Sequence, residues 1–67
     1  MNGVERPLDL LNNLKGQNVK VKLKGKDEFE KGILLAFDIH INLVLEDESK
    51  KPLFIRGDII EIVYQNN

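Results

Sequence analysis

The chain of 67 residues has no cysteine, no tryptophan and no threonine, and only one histidine, one tyrosine and one serine. The missing cysteines exclude disulfides and thiolate metal sites. They also fit a reducing compartment, and a cytoplasmic location is expected. With Ser49 and His40 each alone of their kind, nucleophilic triad chemistry has almost nothing to work with. No apolar run reaches membrane-spanning length and no signal peptide is recognised, so no membrane partner is expected. An excess of either charge is lacking too. A net charge of −1 argues against indiscriminate polyanion binding, but leaves room for a local basic site. A chain this short buries little of its surface and needs outside support. With disulfides excluded, self-association is left to supply it.

What is present divides into one helix and five strands, in one domain over residues 1–67. Residues 1–6 are expected to be a loose arm. Pro7 suits a first helical turn, where its missing N–H costs nothing. Leu8, Leu11 and Leu14 then form one apolar stripe over residues 7–14, and Gly16 is the expected stop. Residues 18–24 alternate strictly. Val19, Val21 and Leu23 face one way, and Lys20, Lys22 and Lys24 form a solvated face. Residues 29–37 are the second strand, with Gly32 allowing a bend through which one strand serves two sheet halves. Residues 41–47, 53–56 and 59–64 are the third, fourth and fifth strands. Phe29, Phe37 and Phe54 are core candidates. The pattern predicts a mostly β fold: a short N-terminal helix followed by a five-stranded, strongly bent antiparallel barrel across residues 18–64.

The segment Phe37 to Leu45 carries the chemistry. Asp38, His40 and Asn42 stand at i, i+2 and i+4. An extended chain sends all three to one side. A carboxylate, an imidazole and an amide there suit a flat polar ligand such as a base. Asp38 and His40 alone, with no third ligand, do not make a metal site. No cofactor is expected.

These residues also carry a resemblance. Gly32, Leu34, Phe37, Asp38, His40, Asn42, Leu43, Val44 and Leu45 form one motif. Leu53-Phe54-Ile55-Arg56-Gly57-Asp58, followed by Ile59, Ile60 and Ile62, forms a second. With the opening Arg6-Pro7-Leu8-Asp9-Leu10-Leu11, the chain resembles the Sm/Sm-like (LSm) family, and archaeal-type members most. Phe29 departs from the pattern. It stands three residues before Gly32, where the family has its aromatic two before, and this spacing suggests a shifted bulge.

The resemblance implies an Sm fold, a small SH3-like or OB-like barrel. It implies a non-enzymatic, RNA-binding ring subunit for single-stranded uridine-rich RNA, acting in RNA processing, ribonucleoprotein assembly or RNA chaperoning, with RNA-processing proteins as further partners. The implied uracil site is Asp38, His40, Asn42, Arg56 and Gly57. Planar His40 and Arg56 can stack on a base, and Arg56 adds positive charge for the phosphate backbone. Gly57 allows close backbone approach. Asp38 is expected to accept one amide hydrogen of Asn42 and so fix which base edge Asn42 reads. The fourth and fifth strands are short, apolar edges, and pairing them head to tail between subunits closes a ring. That places Leu53, Phe54, Ile55, Ile60, Ile62 and Tyr64 at the subunit interface, in a homoheptamer by family resemblance. Two other classes compete. A protein-interaction scaffold ring would keep the fold without needing the polar set. A hydrolase using Asp38 and His40 lacks a nucleophile. The helix face and the Lys20, Lys22, Lys24 face are both open as second RNA contacts.

Overall fold

The computed structural model describes residues 7–66. The arm expected at residues 1–6 lies outside them, as does residue 67. Helix α1 (Pro7–Leu14) is followed by β1 (Asn18–Leu23), β2 (Phe29–Phe37), β3 (Leu43–Glu46), β4 (Pro52–Ile55), a 3-10 turn (Gly57–Ile59) and β5 (Ile60–Gln65). The strands form one antiparallel sheet in the order β4-β3-β2-β1-β5. Within the chain, β4 and β5 stand at opposite ends of the sheet.

The alternation in β1 builds three of the eight buried core positions. Val19, Val21 and Leu23 are buried, and the lysines between them face outward. Leu34, Leu43, Leu45 and Ile55 complete the sheet's share, and Leu11 of α1 covers it. The helix breaks at Gly16 (φ +84°), and the chain is tied at once to β2 by hydrogen bonds from Gly16 N–H to the Leu34 carbonyl and from Leu34 N–H to the Gln17 carbonyl.

β2 serves both halves of the sheet, as its glycine suggested. It pairs with β1 from Phe29 to Ile33 and with β3 from Ile33 to Phe37. Close approach is why residue 32 is glycine. A Cβ there would sit 2.6 Å from the Glu46 carbonyl oxygen. The bulge lies further along, where the register steps from Leu34↔Leu45 to Ala36↔Val44.

Two phenylalanines leave the core expected for them. Phe37 packs against it, but Phe54 is 62% and Phe29 36% exposed. Phe54 pairs with Val44, on the face opposite Leu43 and Leu45. Phe29 is turned out by arithmetic. Gly32 pairs with inward-facing Val19, so a residue three positions earlier must face outward, beside Lys22. The β1–β2 register runs from Asn18 to Lys22 without interruption, so the shifted bulge expected before Gly32 is not there.

Candidate nucleic-acid interface

The segment from Asp38 to Asn42 is a tight loop, not the extended stretch that alternation suggested, and β3 therefore begins at Leu43. Its geometry follows from one carboxylate. Asp38 Oδ1 accepts the backbone N–H groups of His40 (2.8 Å) and Asn42 (3.2 Å). The Asp38 carbonyl accepts Ile41 N–H, and Asp38 N–H donates to the Asn42 carbonyl. Closing so small a loop forces Ile41 into the left-handed region (φ +63°), which a β-branched residue rarely occupies. Ile41 packs its side chain against the core, and that burial offsets the strain.

The loop after β3 repeats the design. Asp47 Oδ1 accepts Ser49 N–H (2.8 Å) and Lys51 N–H (2.9 Å), its carbonyl accepts Lys50 N–H, and Lys50 has φ +66°. An aspartate-headed five-residue loop thus flanks β3 at each end. The first has His40 and Asn42 where the second has Ser49 and Lys51, so the scaffold is shared and the side chains differ.

Asn42 is held from two sides. Its Nδ2 donates to Asp38 Oδ2 (3.0 Å), the contact expected from the sequence. Its Oδ1 accepts Gly57 N–H (2.7 Å), a contact that the residue pattern did not show because a backbone group supplies it from 15 positions away. Gly57 has a further reason to lack a side chain. A Cβ there would overlap the His40 carbonyl oxygen and come within 2.9 Å of the Ile41 carbonyl carbon. The expected close approach is therefore first to the Asp38 loop, and Gly57 brings the two ends of the site together.

His40, Asn42, Arg56, Gly57 and Asp58 line one open cleft of about 460 Å³. Asp38 stands behind it and acts through Asn42. Arg56 donates to Asp58 Oδ2 at 2.8 Å. Both partners are well exposed, so the pair adds little stability, but it restrains the guanidinium. Asp58 belonged to the motif without being assigned to the site, since a carboxylate two residues from an arginine is common in any turn. The Asp38 carboxyl titrates below its usual range. The Asn42 amide is the main cause, helped by the two backbone N–H groups and by nearby His40, against a smaller opposing effect of desolvation.

The residues expected at a subunit interface divide in two. Ile55 is buried in the protomer's own core, and Leu53 and Ile60 are half-buried and pack against that core. Phe54, Ile62 and Tyr64 are exposed, on the outer face of the edge strands β4 and β5.

A short helix leading into a bent five-stranded antiparallel sheet, with the ends of β2 and β4 framing a polar cleft, is the Sm fold. Residues 9–64 match the LSM domain, and the chain belongs to that family. A Methanosarcina acetivorans relative described as an snRNP Sm-like protein is 55% identical, with the match covering 88% of this chain and 92% of that one. For a Methanococcoides burtonii relative, 50% identical, the match covers 63% of this chain and 57% of that one. Among solved structures, the Pyrococcus abyssii Sm protein in complex with a uridine heptamer superposes with a TM-score of 0.80 at 32% identity, over 92% of this chain and all of that one. The P. aerophilum SmAP1 heptamer gives 0.82 at 26%, over 96% and 97%.

Proposed function

We propose that this chain is the subunit of a homoheptameric ring that binds single-stranded uridine-rich RNA, one base in each cleft, and serves RNA processing, ribonucleoprotein assembly or RNA chaperoning. The observation that carries the reading is the doubly held Asn42 amide in a cleft that planar His40 and Arg56 also line. One Nδ2–H goes to Asp38, and the other is left for uracil O4. One Oδ1 lone pair takes Gly57 N–H, and the other is left for uracil N3–H. Cytosine presents the opposite donor and acceptor at these two positions. An amide that cannot flip mismatches it twice. His40 and Arg56 supply flat surfaces for stacking on either side of the reading edge.

The role is binding rather than catalysis. Asp38 already accepts three hydrogen bonds from the loop it organises, so its carboxylate serves structure instead of activating His40. The ring supports the reading in two ways. It gives the β4 and β5 edges a partner strand. It also links weak single-base clefts into one high-avidity track. The uridine heptamer bound by the Pyrococcus abyssii protein and the heptameric P. aerophilum structure favour the same arrangement.

The test is fluorescence anisotropy with oligo-U and oligo-C at two salt concentrations, on the wild type and on Asp38→Ala. The wild type should prefer oligo-U at both salts. Asp38→Ala should lose discrimination against cytosine, by about 1–3 kcal/mol per base, more than it loses uridine affinity. Equal losses for both bases would sink the amide-locking mechanism. Binding that ignores sequence and vanishes in salt would mean a phosphate sensor. An intact ring with no oligo-U affinity would point to a protein scaffold.

A further inference from the structure

An apolar groove of about 310 Å³ shares a wall with the base-reading cleft. Leu10, Leu11 and Leu14 of α1 form one side of it, and Ile60 and Val63 of β5 another. Gly57 lines both cavities. The loop between them divides its side chains. His40 and Asn42 line the cleft, and Ile41, the residue between them, lines the groove. The two isoleucines of the loop also part. Ile39 is 73% exposed, whereas Ile41 packs on the core.

The backbone at position 41 does not call for isoleucine. Glycine or asparagine takes a φ of +63° more readily, so the residue is there for its side chain. Closing the loop does not need that side chain, because Asp38 Oδ1 collects the His40 and Asn42 N–H groups by itself. What those two bonds leave open is where the closed loop sits against Gly57. That placement decides whether Asn42 Oδ1 reaches Gly57 N–H, which it does at 2.7 Å. The Ile41 backbone lies at the joint, since a Cβ on Gly57 would come within 2.9 Å of its carbonyl carbon.

We infer that Ile41 is a positioning residue for base reading: its side chain, seated in the groove beside α1, sets the closed loop against Gly57 and so fixes the Asn42 amide. It acts through Asn42 and needs no contact with RNA. The inference rests on the uridine-reading role proposed for the cleft. It adds that the apolar stripe of α1, which gives Ile41 its seat, belongs to the machinery of discrimination.

Backbone amide hydrogen exchange and the anisotropy of oligo-U against oligo-C test this together on the assembled protein. Ile41→Asn keeps a backbone suited to the left-handed region and removes the apolar anchor. Gly57 N–H should exchange faster, while the His40 and Asn42 N–H groups, held by Asp38, keep their protection. The ratio of oligo-U to oligo-C affinity should fall by about tenfold. Ile41→Val shortens the side chain by one methyl and shows the same changes at smaller size if the asparagine variant folds badly. In a protein that prefers uridine, an unchanged ratio or unchanged Gly57 exchange overturns the inference and leaves Ile41 a filler of the core. Loss of protection at all three amides overturns it as well, because the side chain would then hold the fold of the loop and not its placement. A wild type without uridine preference would sink the cleft reading. Selective exposure of Gly57 in Ile41→Asn would still show that Ile41 positions Asn42.

Discussion

An asparagine discriminates between bases only when its amide has one orientation. Asn42 gains that from Asp38 on one side and the Gly57 backbone on the other, and each contact makes the other more effective. The hydrogen bonds that the Asp38 carboxylate accepts from Asn42 and from the two backbone N–H groups favour its ionised form, and this lowers its titration range. The sign of the pH dependence follows. A carboxyl with a depressed folded value adds stability that is complete above its unfolded value. That stability is lost as pH falls through the folded one. The loop should therefore be indifferent to pH from neutrality down to the ordinary aspartate range near 3.8 and loosen below it. NMR titration of the Asp38 carboxyl carbon should give a midpoint under 3.8 in the wild type and a higher one in Asn42→Ala. A wild-type midpoint at or above the ordinary value would mean that the lock does not hold in solution.

At the scale of elements, the two aspartate-headed loops make a controlled comparison. Both put a non-glycine residue in the left-handed region, which costs about 1–2 kcal/mol. At Lys50 the side chain is exposed and nothing offsets the cost. Lys50→Gly should stabilise the protein by ~0.5–1 kcal/mol, after the extra chain entropy of glycine is subtracted. Denaturant melts at matched protein concentration would measure this. The same exchange at Ile41 should be destabilising. Relief of strain is there outweighed by the lost burial and the extra chain entropy of glycine together, because Ile41 is partly buried against the core. The loop that carries His40 and Asn42 is thus kept strained by a side chain that also anchors it. Equal stabilisation at both positions would show that the anchor contributes nothing.

For the whole molecule, the sheet leaves β4 and β5 as its two ends, and each edge carries exposed apolar side chains. Phe54 on one edge, with Ile62 and Tyr64 (each 39% exposed) on the other, lie on the outer face, where a neighbour's strand would align them. Ile62→Asp should reduce the proposed ring of about seven times 7.7 kDa to smaller species by light scattering, with the strand signal in circular dichroism retained. Oligo-U affinity should fall with it, because separated clefts lose their avidity. An unchanged mass would place the subunit contact elsewhere. Ile55 is not the position for this test. It is buried in the protomer's own core, and replacing it would unfold the chain before it opened a ring.

The sequence by itself determined the helix, the five strands and the identities of the polar residues, because alternation at period two and a proline-to-glycine helix leave few other readings. Val19, Val21 and Leu23 could only be one face of a strand. Asp38, His40 and Asn42 stood out as the chemistry a flat ligand needs, and the family resemblance added Arg56. Tertiary structure alone decided how those residues meet. The pattern from Asp38 to Asn42 reads as an extended strand because local alternation cannot show that one carboxylate will collect two backbone N–H groups and bend the chain. The Gly57 contact to Asn42 was illegible for a similar reason, since backbone donors carry no side-chain signature. Which edge residues face inward was settled by register. A single position in the count back from Gly32 turned Phe29 from the core to the surface, and in a strand one residue is the whole difference between the two faces.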